Sequence, residues 1–387
     1  MNRAVIDQFV LAQEYPEKHT ATLQSNASAI KFSATGDYLA NGTLDGDVVV
    51  YDCDTWEPLQ ILKGHGGVIQ TLSWSSCSRY LLSASRDWQC ILWDFKDIEN
   101  GPAATVDLGC PVWMASLHPH NHNVFVAALL NANPVLVTIN EDTSTSKLTL
   151  PDGGNGKVQV ALFSPTGDHV ILGSSKGAIM IVTLEGELVY STKISSSAII
   201  DMCYTPGTDF LVCTSTDRAI RKVQLPNFTT SPDSWNLEIS QKFIDLVEKH
   251  QWVASATSPS GELILGTGRG TNDVYMWEGN LGSLVKIFEG PKENLACIDF
   301  QPNRQCFATT GIDSGDIHIF TAEQPQNWSA LATDFVELHA NEIYTEREEE
   351  FDIVDEDENS KNLDLHKVDV WTIEKPIKHF VIPVNLE

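Results

Sequence analysis

A pattern of about forty residues recurs seven times along the 387-residue chain, and it limits the possible folds more than any other feature. The clearest copy, from Gly64 to Asp94, reads GHGGVIQTLSWSSCSRYLLSASRDWQCILWD, which is three short apolar strands separated by polar turns. A unit of this length cannot bury its apolar face alone, so neighbouring units must pack together. The other copies span residues 29–52, 110–139, 158–184, 198–224, 252–278 and 295–321.

The repeat length, the Gly-His start and the Trp-Asp end of this copy resemble WD40 repeats, each of which forms a four-stranded propeller blade. Seven blades can close into a ring that leaves no free sheet edge. The sequence therefore predicts an all-β fold, a seven-bladed WD40 β-propeller over residues 20–325. We expect residues 1–19 to form an N-terminal segment and residues 326–387 to form an extended, mostly irregular acidic tail.

One gap between repeats is longer than the others and predicts a helical insertion over about residues 231–250. Pro232 suits a first helical turn. We expect a short amphipathic helix packed on the propeller rim, with partner docking as the alternative role. The apolar residues at helical spacing are Trp235, Ile239, Phe243 and Leu246.

The formal net charge of −27 is divided unevenly along the chain. Residues 334–387 hold 16 acids and 5 bases, a net charge of −11, which leaves −16 for the rest. An acidic body disfavours broad attraction to nucleic acid or anionic lipid and leaves room only for a local basic patch. The eight cysteines are scattered without a C-x-x-C motif, and neither a signal-peptide core nor an apolar run of membrane-spanning length is present. These features predict free thiols in a reducing compartment.

Blade two contains His65, Ser83, Asp87 and Trp93, a set that invites a hydrolase hypothesis. No G-x-S-x-G nucleophile elbow accompanies the serine. In WD40 blades these residue types form a structural hydrogen-bond chain, so we predict no catalytic residue and no cofactor. The histidine-rich run 118–122 stands where other repeats have a turn and lacks a Cys or carboxylate cluster, so we predict no metal site.

A small basic cluster lies in the fifth repeat and comprises Arg218, Arg221 and Lys222. Such a cluster usually forms a solvated face. The alternative is a local contact with nucleosomal DNA, since phosphate contacts on an acidic body require a local concentration of positive charge.

The tail combines charge with apolar side chains. Residues 342–358 include 10 acidic residues in 17 positions, and Tyr344, Phe351 and Ile353 stand among them. A tail that only improved solubility would be acidic without such residues. An apolar patch among carboxylates suits a groove with a hydrophobic pocket and a basic rim, which predicts partner recognition.

The order of short motifs in the tail makes the assignment specific. They are Asn327-Trp328-Ser329-Ala330, Asp334-Phe335, Glu337-Leu338, Tyr344, Glu346-Arg347-Glu348, Phe351-Asp352-Ile353 and Asp355-Glu356-Asp357. A WD40 propeller followed by these motifs closely resembles the retinoblastoma-binding WD40 subunit of COMPASS-type (SET/MLL family) histone H3 lysine-4 methyltransferase complexes. The resemblance covers nearly the whole chain.

The resemblance implies a non-catalytic scaffold and activating subunit whose tail joins three partners. The implied activation segment for the SET-domain methyltransferase contains Trp328, Phe335, Glu337, Leu338 and Tyr344. The implied motif for a SPRY-domain subunit contains Glu346, Arg347, Glu348, Glu349, Phe351, Asp352 and Ile353. The implied motif for a second WD40 propeller subunit contains Val368, Asp369 and Val370.

The same resemblance implies a nuclear protein that reaches the nucleosome through its complex, while the partner transfers the methyl group. One alternative is a WD40 substrate receptor of a cullin-type ubiquitin ligase. That class expects Arg two positions after Trp-Asp, whereas Trp93-Asp94 is followed by Phe95 and Lys96. A propeller hydrolase is a further alternative, but no repeat supplies an acid/base or metal set for the central channel.

Overall fold

The residues form a β-propeller in the computed structural model, which confirms the predicted all-β fold. Seven four-stranded antiparallel sheets are present within the described part of the chain. None of the described residues belongs to a helix with the length and apolarity needed to cross a membrane. The structure describes residues 16–322 except 17, 99–100, 141–144, 152–153, 155, 205–208, 229–234 and 246–249.

The first blades follow one plan, in which consecutive strands run from the innermost to the outermost position of a sheet. The sequence repeats supply the first three strands of each blade, and the outermost strand comes from the polar stretch between repeats. The strands from the start of the chain to the third blade are β1 (Lys18–Leu23); β2 (Ala27–Phe32), β3 (Tyr38–Thr43), β4 (Asp47–Asp52) and β5 (Pro58–Lys63) in blade 1; β6 (Ile69–Trp74), β7 (Tyr80–Ser85), β8 (Gln89–Asp94) and β9 (Ala104–Asp107) in blade 2; and β10 (Val112–Leu117), β11 (Val124–Leu129), β12 (Val135–Ile139) and β13 (Thr145–Thr149) in blade 3.

The next three blades repeat the same strand order. In each of them the inner strands are mostly buried and the outermost strand is mostly exposed, because the inner strands are covered by both neighbouring blades. These strands are β14 (Val158–Phe163), β15 (His169–Ser174), β16 (Ala178–Thr183) and β17 (Leu188–Lys193) in blade 4; β18 (Ile199–Cys203), β19 (Phe210–Ser215), β20 (Ala219–Gln224) and β21 (Ile239–Phe243) in blade 5; and β22 (Gln251–Thr257), β23 (Leu263–Arg269), β24 (Val274–Glu278) and β25 (Leu284–Phe288) in blade 6.

Blade 7 closes the ring with strands from both ends of the propeller. Its inner strands are β26 (Leu295–Phe300), β27 (Cys306–Gly311) and β28 (Ile317–Thr321), and β1 supplies the outermost strand. The register runs from Lys18 opposite Thr321 to Leu23 opposite Ile317. β1 therefore begins two residues before the predicted start of the propeller, and it pairs with the edge of β28 that the other strands of blade 7 leave open.

The hydrophobic core lies between blades. One cluster joins Leu62 of blade 1 to Leu72 and Trp93 of blade 2, and another joins Leu92 of blade 2 to Phe125 of blade 3. A single blade has two apolar faces and no other layer to cover them, so each sheet is stabilised by its neighbours. Four of the eight free cysteines are buried, and burial raises the pKa of the Cys53 thiol to about 12.

The predicted helical insertion at residues 231–250 is wrong over the part that the structure describes. Ile239–Phe243 is strand β21, which pairs with β20 so that Phe243 lies opposite Ile220. Trp235 and Leu237 are both buried between blades 4 and 5, at the two-residue spacing of an extended chain. Backbone hydrogen bonds to the edge of β20 and the burial of Trp235 and Leu237 between the blades stabilise the extended conformation more than the helical spacing of apolar residues stabilises a helix.

Candidate functional site

The four residues singled out in blade 2 form one continuous hydrogen-bond chain. His65 joins Asp87 through Nδ1 at 2.9 Å and Ser83 through Nε2 at 2.8 Å. The indole Nε1–H of Trp93 donates to the Ser83 Oγ at 2.9 Å. A carboxylate only accepts, so Nδ1 carries the proton and Nε2 accepts from the Ser83 hydroxyl. The chain ties the turn before β6 to strands β7 and β8 and to the turn between them.

The electrostatics of this chain favour a neutral imidazole beside a charged carboxylate. Burial lowers the pKa of His65, and the neighbouring Asp87 only partly offsets that effect. Burial opposes ionisation of Asp87, but the hydrogen bonds from the amides of Gln89 and Gly66 and from His65 together outweigh burial and lower the pKa of that carboxyl. Ser83 is fully buried, so its hydroxyl cannot reach a substrate. The geometry is that of a stabilising network.

Two of the three basic residues of the fifth repeat point into the fold. The buried Arg221 forms an ion pair with Asp217, which also accepts hydrogen bonds from the hydroxyls of Ser215 and Ser195. Burial opposes ionisation of Asp217, but the hydrogen bonds from Arg221 and Ser215 outweigh it and lower its pKa to about 2. Blade 5 thus uses an arginine where blade 2 uses a histidine to hold the turn aspartate.

The side chain of Lys222 is also buried, but it contacts blade 6 and not the aspartate that Arg221 binds. Its Nζ donates to the carbonyl of Gly279 and to the side chain of Asn280, both at 3.2 Å, and it stacks over the ring of Phe210 at 4.0 Å. Arg218 alone of the three is exposed, in a turn with a φ of +65°. The predicted cluster of three therefore does not form one charged surface.

Other basic side chains accompany Arg218 on the same face of the ring. The exposed Lys176 lies in the turn between β15 and β16 of blade 4, and the exposed Arg269 ends β23 of blade 6. Arg218 lies in the matching turn of blade 5, between β19 and β20, and Arg269 is the last residue before that turn in blade 6. We call Lys176, Arg218 and Arg269 the basic arc. The sequence gives no sign of it, because its members are over forty residues apart.

Side chains of the innermost strands join neighbouring blades around the central channel. Asp299 of blade 7 accepts from Lys31 Nζ at 2.6 Å and from the Phe32 amide at 2.8 Å, both in blade 1. Asp201 of blade 5 accepts from the Ser255 amide of blade 6 at 2.9 Å. The two backbone contacts satisfy amides of the inner strands, and all three contacts link one blade to the next. No local sequence pattern marks these residues, because their partners lie in other blades.

The histidine-rich run 118–122 lies in the turn after β10. His118 Nδ1 accepts from the amides of His120 and Asn121, and its Nε2–H donates to the Gly167 carbonyl at 3.1 Å. The ring of His122 stacks on Tyr80. Among the described residues, no group of three or more His, Cys, Asp or Glu side chains could hold a metal ion.

The tail residues predicted to bind partners lie outside the described residues, and so does Leu246 of the predicted helix. These are the SET-domain segment with Trp328, Phe335, Glu337, Leu338 and Tyr344; the SPRY motif with Glu346, Arg347, Glu348, Glu349, Phe351, Asp352 and Ile353; and the second WD40 motif with Val368, Asp369 and Val370.

Comparison with protein families finds the WD domain, G-beta repeat, over residues 56–94. This stretch includes the blade 2 hydrogen-bond chain described above. It is also the copy of the repeat that is clearest in the sequence.

Whole-chain relatives extend the match well beyond one blade. The "Set1 complex component swd1" of Schizosaccharomyces pombe is 40% identical over 371 residues, which cover 92% of this chain and 91% of that protein. The "Retinoblastoma-binding protein 5 homolog" of Drosophila melanogaster is 32% identical over 95% of this chain and 74% of its own length. Among solved structures, the Myceliophteria thermophila Cps50 (Swd1) β-propeller domain matches with a TM-score of 0.76 and 33% identity, covering 80% of this chain and all of that one.

Proposed function

The chain belongs to the family of Swd1 and retinoblastoma-binding protein 5, and from this membership we infer that it is a scaffold subunit of a histone H3 lysine-4 methyltransferase complex. The identity of 40% along 92% of the chain carries the inference, because it includes the tail as well as the propeller. The names of these relatives refer to the Set1 complex and to retinoblastoma binding, and none refers to a ubiquitin ligase.

The subunit itself supplies no chemistry in this proposal. The Ser-His-Asp set of blade 2 is buried and committed to the hydrogen bonds that hold the blade. Methyl transfer therefore belongs to the methyltransferase partner. This subunit would raise the rate by favouring the active arrangement of the SET domain, which is a shift of a conformational population. The protein would act in the nucleus.

The tail would connect the partners. Residues 328–344 would lie against the SET domain, residues 346–357 would bind the SPRY-domain subunit, and residues 368–370 would dock on the second WD40 subunit. In the second motif, carboxylates would pair with a basic pocket while Phe351 and Ile353 supply apolar anchors. Three tethered motifs of modest affinity raise the overall affinity through effective concentration.

A paired substitution in the second motif tests this arrangement. Phe351→Ala with Glu349→Ala is expected to weaken binding of the SPRY-domain subunit and to lower methyltransferase activity in a reconstituted complex. Phe380→Ala with Glu374→Ala, outside the three motifs, is the matched control and should change neither. Unchanged pull-down and unchanged activity in the first variant would refute the proposed role of the tail.

A contact with nucleosomal DNA is a second proposal, and it rests on the exposed basic arc rather than on the three residues first considered. Arg218 would contact phosphate, whereas Arg221 and Lys222 are buried within the blades. Charge reversal of Lys176, Arg218 and Arg269 is expected to weaken nucleosome binding and to flatten its dependence on salt. The same salt slope in wild type and variant would argue against a DNA contact here.

A further inference from the structure

One turn recurs around the ring in an equivalent position and can be compared blade by blade. It joins the second and third strands of a blade, and its first residue donates its amide N–H to a carbonyl just before the blade's innermost strand. These bonds run from Ile312 to Asn294, from Leu44 to Asn26, from Leu130 to Pro111, from Ser175 to Lys157 and from Thr216 to Ala198, at 2.8–3.0 Å. Equivalent bonds place these first residues on the same face of the propeller.

The residues at this position divide the face into two parts. Blades 4 and 5 carry the small polar Ser175 and Thr216, whereas blades 7, 1 and 3 carry Ile312, Leu44 and Leu130. Each of these three apolar side chains is between 45% and 50% exposed. In blade 2, between blades 1 and 3, the first residue of the turn is the exposed Arg86, whose amide donates to the Val68 carbonyl at 3.1 Å. The large apolar side chain of this turn is Trp88, two positions later, which is 50% exposed. Four consecutive blades thus expose a large apolar side chain, next to the blades that carry the basic arc.

A fifth residue extends this surface toward the channel. Trp113 is 40% exposed and lies in a β-bulge of the innermost strand β10. The adjacent Val112 pairs with Leu129, so Trp113 is at the end of blade 3 where Leu130 begins its turn. We call Ile312, Leu44, Trp88, Trp113 and Leu130 the apolar arc.

Trp88 is held in an unfavourable backbone conformation. Its φ is +75°, a value at which the matching turns of blades 1, 4 and 7 have Gly46, Gly177 and Gly315. A bulky residue in the left-handed region costs about 1 kcal/mol or more. A half-exposed indole returns little of this energy through packing, so the folding of the blade does not account for the tryptophan.

Charge distinguishes the kinds of segment that could cover the arc. Asp313 follows Ile312, and Asp45 follows Leu44. Asp107 precedes Leu108, whose amide N–H donates to the Trp88 carbonyl at 2.8 Å. All three aspartates are exposed. Arg86 is an exposed base beside them. An apolar surface with an acidic border complements side chains of Leu, Ile or Phe type interspersed with Lys or Arg.

We propose that the apolar arc is a docking surface for a basic, apolar-rich segment of another protein. The partner segment places two or more large apolar side chains between Ile312, Leu44, Trp88 and Leu130, and its lysines or arginines face Asp313 and Asp45. The proposal does not depend on the function proposed above, because it concerns the propeller face and not the tail motifs.

Selection from a phage-displayed library of random twelve-residue peptides on the full-length chain tests the proposal. Enriched sequences are expected to combine large apolar residues with an excess of Lys and Arg. Fluorescein-labelled synthetic copies should bind at least tenfold more weakly to the triple variant Leu44→Ser, Leu130→Ser, Ile312→Ser. Trp88→Gly should also weaken binding while leaving the thermal unfolding temperature unchanged or higher, because it removes the strained φ.

The matched control replaces three equally exposed leucines on outermost strands, Leu59→Ser, Leu188→Ser and Leu284→Ser, and should bind as the wild type does. Equal weakening in the control, enrichment of acidic peptides, or no enrichment would overturn the proposal. So would self-association of the wild type in analytical ultracentrifugation that the Leu44/Leu130/Ile312 variant abolishes, because a second copy would then be the occupant.

Discussion

Removing the Ser83 hydroxyl should destabilise the propeller far more than its size suggests. Ser83 is fully buried, and its Oγ is the acceptor for the Trp93 indole N–H at 2.9 Å and the partner of His65 Nε2 at 2.8 Å. In Ser83→Ala both of these buried groups lose their partner. Each orphaned group costs about 1–3 kcal/mol, so we expect a loss of about 2–6 kcal/mol in the free energy of unfolding.

For a domain of this size, such a loss lowers the midpoint of thermal unfolding by about 4–12 °C. Circular dichroism of the full-length protein measures this midpoint, with Ser196→Ala at an exposed site as the control. Adding Trp93→Phe should cost less in the Ser83→Ala background than in the wild type, by about 1 kcal/mol, because the indole has already lost its acceptor. Equal midpoints for Ser83→Ala and the control, or strict additivity, would refute the network argument.

Three further predictions concern other parts of the propeller. Arg221→Met should lower the free energy of unfolding by about 3 kcal/mol, because it leaves the carboxylate of Asp217 without its cation. Urea denaturation measures this loss, and the control Arg218→Ala, at an exposed site, should change the free energy by less than about 0.5 kcal/mol. The folded-state pKa of His65 lies below its unfolded value of 6.5. The contribution of the neutral His65 to the free energy of unfolding should therefore be fully present above pH 6.5 and should be lost as the pH drops toward the folded-state pKa. Thermal midpoints at pH 7.5 and 5.5 test this. The difference between them should shrink in His65→Gln but should not vanish, since His19, His118 and His169 also have lowered pKa values. Gly177→Ala should cost at least about 2 kcal/mol in thermal unfolding, because φ is +77° and the new Cβ would lie 2.3 Å from the Ser195 carbonyl oxygen, whereas Gly66→Ala, with no atom within 4 Å, should be nearly neutral.

Local sequence was informative where one chemical pattern recurs. The alternation of apolar residues and the turn signals of Gly64–Asp94 were enough to predict blade 2, and the residue types of its polar chain were enough to predict its bonds. The tail motifs are also local, since a linear binding motif requires only neighbouring residues. They remain predictions, because they lie outside the described residues.

The sequence misled where a long-range partner decides the local conformation. Ile239–Phe243 has the spacing of an amphipathic helix, yet the open edge of β20 offers it a row of backbone hydrogen bonds. Arg221 and Lys222 look like surface charges, yet Asp217 and the Gly279 carbonyl hold them inside. The partner of Lys222 stands 57 residues away in the sequence. Asp217 is only four residues from Arg221, but the burial of this arginine depends on the packing of the strands around it. No local pattern contains that information.

The sequence by itself determined the repeat, the number of blades and the family, because each follows from the order of residues within short windows. Only the tertiary structure decided which charges are buried, which strand closes the ring and which turns share a face. β1 meets β28 across nearly 300 residues, and the apolar arc collects side chains from four blades. Closing the ring brings these distant residues together, and a closed ring follows from the packing of all the blades and not from any one of them.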